Sequence, residues 1–175
     1  MNLAATVELS FGGVGSGCRG PSCGRKPTFN GLTKEQQDAI KKVPEAHLRG
    51  LTSIGTKGFN QKEKNIARAY YWPSKRPFIK LGRDTGAFDL LHEIGHHVHD
   101  TVLTPQERKV WKKSPSEIPV GGHLHEDPDR EEQFAEAYAH LMSGNKRSQA
   151  TISNDPERTG KNAIELVKNL LKGKE

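Results

Sequence analysis

The chain has 175 residues, enough for one compact domain, but only 33% of them are apolar, so we expect part of it to lie outside the core. It contains no run of about 18 apolar residues and no charged leader at its start, so we expect a soluble protein in the cytoplasm of the producing cell, with no membrane partner. The formal net charge of +6 is spread along the chain without a nucleic-acid-binding motif, which argues against nucleic acid as a partner. Cys18 and Cys23 alone provide neither a disulfide framework nor the four ligands of a zinc ribbon.

Residues 1–31 have the composition of a flexible arm. Their central segment, GGVGSGCRGPSCGRK, is rich in glycine, serine and arginine and cannot bury enough apolar area to offset the entropy lost on ordering. The folded domain is therefore predicted to span residues 32–175.

The first half of this domain is predicted to contain one helix and a small sheet. Thr33 and Gln36 have the spacing of a capping box, which predicts a helix over residues 34–43. Three following segments are rich in β-branched or aromatic residues and are bounded by turn residues, which predicts two or three strands: HLRGLTSIGT, ARAYYW and PFIKLG.

The remainder of the chain has the apolar spacing of amphipathic helices. Asp84 or Thr85 can cap the first of them, and Asp127 can cap the third with Pro128 at its first position. The predicted ranges are about 86–102, 104–113, 128–143 and 160–173. Together these elements predict an α+β fold, with a short mixed or antiparallel sheet packed on helix 86–102 and a mostly helical C-terminal half.

The segment LLHEIGHHVHD, residues 90–100, lies on the predicted helix 86–102 and carries the pattern His-Glu-x-x-His. His92 and His96 are four residues apart, so their rings project from one face of a helix and can share a cation. Glu93 can then accept a proton from a zinc-bound water. The alternative is a surface helix with titrating histidines, but this spacing is uncommon by chance.

A catalytic zinc ion commonly has three protein ligands, so a third must come from elsewhere. The metzincin pattern would require glycine and histidine at positions now occupied by His99 and Val102, which excludes that class. Glu132 and Glu136 lie one turn apart on the helix predicted over 128–143. One of these carboxylates can bind zinc while the other, or a nearby histidine, supports a ligand through a hydrogen bond.

HEIGH followed by EQFAEAYAHLMS resembles the lethal-factor-like zinc metallopeptidases and the related Pro-Pro endopeptidases, over about residues 32–172. This resemblance implies a zincin-like fold and a Zn²⁺ cofactor. It also implies the role of each matching residue: His92, His96 and Glu132 as zinc ligands, Glu93 as general base, and Glu136 as the hydrogen-bonding support of a ligand. Gly95, also in the pattern, would allow another segment to approach the helix closely.

The sequence departs from the family pattern at one position. The family carries a tyrosine seven residues before its glutamate ligand, where its hydroxyl stabilises the tetrahedral intermediate, whereas this chain has His125. A protonated imidazole can donate to the same oxyanion, and His123 is an alternative donor. In zincins the substrate pairs with an edge strand, and PFIKLG is the natural candidate for that strand here.

These features favour a zinc-dependent metalloendopeptidase that acts on a peptide or protein substrate. Two alternatives stay open: a structural or docking protein that keeps a zincin-like scaffold without efficient proteolysis, and a basic nucleic-acid binder with structural zinc. The Gly-rich segment is similar to segments of head-morphogenesis proteins of tailed bacteriophages. That similarity would imply a virion context, in which the arm contacts other virion proteins.

Overall fold

The computed structural model describes residues 26–56, 69–82, 84–115, 118, 129–144 and 159–175. In these ranges the chain adopts an α+β fold. The strands are β1 (Thr28–Asn30), β2 (Ser53–Gly55), β3 (Ala69–Trp72) and β4 (Phe78–Leu81). The helices are α1 (Lys34–Ile40), α2 (Glu45–Leu48), α3 (Ala87–Thr101), α4 (Pro105–Lys113), α5 (Arg130–Ser143) and α6 (Thr159–Leu171). No helix in the described part of the chain is both long and apolar enough to cross a membrane.

The four strands form a mixed sheet in the order β1-β2-β4-β3. The pairs β1–β2 and β2–β4 are parallel, whereas β3 and β4 are antiparallel, with Tyr71 opposite Ile79. Ile79 and Leu81 are buried and alternate with less buried side chains, as expected of a strand with one face on the core. The prediction that PFIKLG forms the edge strand was wrong, because β4 is paired on both sides and β3 lies at the edge of the described sheet.

Strand β1 lies within the segment that the sequence assigned to the flexible arm. Phe29 is buried in the core and pairs with Ile54 of β2, so the folded domain includes residues before 32. The composition of residues 1–31 concealed this strand, because its three residues follow a long Gly-rich stretch and gain their stability from pairing with a distant strand. Residues 1–25 lie outside the described residues, so flexibility there remains a prediction.

The helix boundaries follow their capping residues. Thr33 and Gln36 form the predicted capping box at α1, with hydrogen bonds of 3.2 and 2.9 Å between each side chain and the other residue's backbone. Helix α3 is capped at Gly86, one residue after the predicted Thr85. Helix α5 begins at Arg130 with its N-cap at Asp129, whose side chain accepts a hydrogen bond from the Glu131 amide, so the prediction of Asp127 as the cap was wrong.

Helices α3 and α5 pack closely through Gly95. A Cβ atom on Gly95 would lie 2.7 Å from the Cα atom of Ala135, closer than nonbonded carbon atoms approach. Ile94 and Val98 of α3 and Phe134 of α5 are fully buried in the surrounding core. This contact allows the polar face of α3 to meet acidic residues of α5, as the sequence predicted for Gly95.

Candidate metal centre

Three side chains from α3 and α5 converge on one point. His92 and His96, one turn apart on α3, direct their Nε2 atoms toward each other at 3.2 Å. The Glu132 carboxylate reaches across from α5, with 3.0 Å between Oε2 and Nε2 of His92 and 3.3 Å between Oε1 and Nε2 of His96. All three side chains are partly buried. The structure therefore brings together the two histidines and the glutamate that the sequence nominated as ligands.

The donor set and its spacing fit a zinc ion. Zinc binds imidazole nitrogen and carboxylate oxygen at about 2.0–2.2 Å in tetrahedral geometry, which places neighbouring ligand atoms about 3.3 Å apart. The three separations of 3.0, 3.2 and 3.3 Å are close to this value.

The cluster needs a positive charge at its centre. Burial lowers the pKa of His92, but the Glu132 and Glu136 carboxylates overcome this effect and raise it to about 9. Hydrogen bonds from His92 and His96 in turn hold the pKa of Glu132 well below its usual range. Without a metal ion a proton on His92 therefore offsets part of the negative charge of Glu132 and Glu136 at neutral pH, and a bound cation would replace it.

Glu136 lies behind His92. Its Oε2 atom is 3.0 Å from the Nδ1 atom of His92, on the side of the ring away from the other ligands. Its Oε1 atom lies 3.6 Å from Nε2 of His140, one turn further along α5, and Phe88 packs edge-on against His140 with ring centroids 4.8 Å apart. Glu136 thus occupies the position that the resemblance implies, and it orients His92 so that Nε2 faces the candidate metal.

Glu93 lies next to His92 on α3 and faces the edge strand of the sheet. The backbone N–H of Tyr71 in β3 donates a hydrogen bond to Oε2 of Glu93 at 2.5 Å. Burial raises the pKa of this carboxyl above its ordinary value, although His96 and His92 oppose the effect. A raised carboxyl pKa suits a group that takes and returns a proton near neutral pH. Sequence reasoning missed the Tyr71 contact, because a backbone amide carries no signal in the residue type.

The other histidines of the HEIGHHVHD segment are buried rather than solvated. His97 lies against α2, with Nε2 3.0 Å from the backbone oxygen of Arg49. His99 packs on Phe134, with ring centroids 5.3 Å apart, and its Nδ1 atom lies 3.5 Å from a carboxylate oxygen of Asp100. The sequence does carry a signal for the position of His99: it follows His92 by seven residues, and residues at i, i+4 and i+7 lie near one face of a helix.

The candidate oxyanion donor His125 and its alternative His123 lie outside the described residues. Their roles remain predictions. Cys18 and Cys23, to which the sequence assigned no role, also lie outside those residues.

The comparisons with known proteins do not assign this chain to a family. No protein-family model matches it, and a search of curated protein sequences gives no significant match. The similarity to lethal-factor-like peptidases therefore depends on the two motifs, HEIGH and EQFAEAY, and on the site that their residues form.

Proposed function

We propose that this protein is a zinc-dependent metalloendopeptidase. The observation that carries the proposal is the convergence of His92, His96 and Glu132 at separations suited to tetrahedral zinc, with Glu93 one residue from the first ligand. A structural zinc site commonly has four protein ligands, whereas three leave a position for water. When bound, zinc lowers the pKa of its water and polarises a carbonyl.

Glu93 is the proposed general base. In peptide hydrolysis it accepts a proton from the attacking water, and it then donates that proton to the amine that leaves. Burial raises its pKa above the ordinary value, which makes the carboxylate a better proton acceptor than an exposed glutamate. Glu136 keeps His92 in the tautomer whose Nε2 atom is free to bind metal.

The proposed substrate is an extended peptide that pairs with β3. This strand makes the edge of the described sheet, and its Tyr71 amide donates to Glu93. A peptide added along this edge would place a backbone carbonyl beside the general base. Main-chain pairing provides affinity for many sequences, so side-chain selectivity would come from pockets on either side.

His125 is proposed to stabilise the oxyanion, with His123 as the alternative. This assignment rests on sequence position alone. A protonated histidine in that role makes activity fall as pH rises through its pKa, in contrast to the tyrosine of the resembling family.

The experiment combines zinc analysis with cleavage of an unbiased peptide library. It uses the wild type, Glu93→Gln and Glu132→Gln, with Glu165→Gln as a control, because Glu165 is an exposed acid on α6. Wild type, Glu93→Gln and Glu165→Gln should retain zinc in the site under nanomolar free zinc, whereas Glu132→Gln should lose it. Cleavage should be seen with wild type and Glu165→Gln, and should fall at least about 1,000-fold in Glu93→Gln.

Each of the other outcomes would contradict a different part of the proposal. Zinc binding without cleavage of any library peptide would favour the scaffold or docking alternative. Undiminished cleavage by Glu93→Gln would reject Glu93 as the base. Absence of zinc from the wild type would reject the metal site.

A further inference from the structure

The Glu136 carboxylate lies between two imidazole rings. Its Oε2 atom is 3.0 Å from Nδ1 of His92 on α3, and its Oε1 atom is 3.6 Å from Nε2 of His140, one turn further along α5. We propose that His140 is a positioning residue of the metal centre, which acts through Glu136 to hold the His92 ring with Nε2 toward the candidate metal. The inference rests on the proposed zinc site and adds to it a residue to which the resemblance assigns no role.

A buried carboxylate is costly unless hydrogen-bond donors or cations meet its charge. Glu136 is 7% exposed, so water can solvate little of that charge, and each of its two oxygen atoms faces a ring nitrogen instead. An apolar side chain in place of His140 would leave Oε1 facing an apolar group. The carboxylate would then shift toward another donor and would hold the His92 ring less firmly.

The His140 ring is itself held in place. The residue is 8% exposed, and the Phe88 ring packs edge-on against it with centroids 4.8 Å apart. Phe88 lies one turn before His92 on α3, and His140 lies one turn after Glu136 on α5. The pairs Phe88–His140 and His92–Glu136 are therefore successive contacts between the two helices. A fixed ring at the outer contact limits the movement of the Glu136 side chain.

The geometry also indicates the size of the effect. The 3.6 Å distance makes the contact of His140 with Glu136 an electrostatic and packing contact, longer than a normal hydrogen bond. Glu136 touches the candidate ligand His92 directly, whereas His140 acts one contact further away. We therefore expect the loss of His140 to weaken zinc binding about three- to tenfold, less than the roughly 10- to 100-fold typical of a residue that contacts a ligand.

Zinc affinity of the full chain, measured by competition with a chromophoric chelator, tests the proposal. The test variant is His140→Leu, and His140→Gln is its conservative counterpart, because a glutamine amide can still donate to Glu136. His47→Leu is the matched control: His47 is also a buried histidine that contacts α5, but its partner there is Tyr138. The double variant His140→Leu with Glu136→Gln tests whether the two residues act in series. Urea denaturation of the zinc-free proteins identifies conditions in which each variant is folded.

The dissociation constant for zinc should rise about three- to tenfold in His140→Leu and less in His140→Gln. It should stay within about twofold of wild type in His47→Leu. In the Glu136→Gln background, His140→Leu should add no further loss, because its effect passes through that carboxylate. The visible absorption of the Co²⁺-substituted protein reports the arrangement of the ligands, so it should change in His140→Leu and not in His47→Leu.

An unchanged zinc affinity in His140→Leu would overturn the proposal. So would an equal loss in His47→Leu, which would assign the effect to general destabilisation, or an additional loss of the same size in the Glu136→Gln background. None of these measurements involves cleavage. A wild type that binds zinc but cuts no peptide would therefore reject the peptidase proposal alone, whereas a wild type that binds no zinc would overturn both.

Discussion

The Nδ1 atom of His92 and the Oε2 atom of Glu136 lie 3.0 Å apart, joining α3 to α5 behind the candidate metal centre. Both side chains are largely buried. The contact leaves the Nε2 atom of His92 facing His96 and Glu132. The carboxylate thus determines which nitrogen of the ring is available to a metal.

Replacing Glu136 by glutamine should weaken zinc binding about 10- to 100-fold, because an amide holds and polarises the His92 ring less well than a carboxylate does. The dissociation constant can be measured by competition with a chromophoric chelator. Glu165→Gln, an equivalent change at an exposed position of α6, should leave the affinity within twofold of wild type. An unchanged affinity in Glu136→Gln would show that the contact does not support the ligand.

Gly95→Ala should disrupt the contact between α3 and α5. The new Cβ atom would lie 2.7 Å from the Cα atom of Ala135, so the helices must separate. We expect a loss of about 1–3 kcal/mol in the free energy of unfolding, together with weaker zinc binding. Gly86→Ala, at the N-cap of the same helix, is the comparison: its Cβ atom would make only an ordinary 3.6 Å contact, so its loss should be the smaller one that comes from poorer capping by alanine. Urea denaturation of the zinc-free proteins measures the difference, and equal losses in both variants would contradict the packing argument.

His47 should make the zinc-free protein less stable in acid. It is 1% exposed and shares a hydrogen bond of 3.0 Å with the Tyr138 hydroxyl, and burial lowers its pKa to about 4. Its Nε2 atom has no hydrogen-bond partner among the described residues, so protonation would bury an unpaired charge. Below pH 6.5 the unfolded chain takes up a proton at this position, whereas the folded chain does so only near pH 4.

The contribution of His47 is therefore complete above pH 6.5 and is lost as pH falls, by up to about 1.4 kcal/mol per pH unit. Urea denaturation between pH 7 and pH 4.5, with a chelator present, compares wild type with His47→Gln. The pH dependence of stability should be shallower in the variant, whatever its stability at pH 7. Parallel curves for the two proteins would indicate that His47 titrates normally in the folded state.

Arg108→Gln should destabilise the C-terminal end of α3. The Nη1 atom of Arg108 donates to three backbone oxygens there, at distances of 3.2 Å for His99, 3.1 Å for Asp100 and 2.7 Å for Leu103. These carbonyls have no partner within the helix, and a cation at this end also interacts favourably with the helix dipole. We expect a loss of about 1–2 kcal/mol in the free energy of unfolding. The neighbouring exposed Lys109→Gln is the control, and a similar small loss in both variants would argue against capping.

Local pattern was sufficient for the features that depend on neighbours along the chain. The spacing of His92 and His96 predicted a shared helix face, and the Thr33–Gln36 capping box predicted the start of α1. Both predictions succeeded because helical periodicity and capping operate within a few residues. The α+β class followed from the same local signals.

The tertiary structure decided the features that depend on distant segments. The sequence alone left open which glutamate of α5 faces the histidines, and the close approach at Gly95 and Ala135 places Glu132 against both rings and Glu136 behind His92. The tertiary structure also determines that β3 rather than β4 lies at the edge of the described sheet, that the Tyr71 amide contacts Glu93, and that β1 pairs with β2. Strand order and helix approach depend on long-range packing, because each buries apolar surface that no single segment can bury alone.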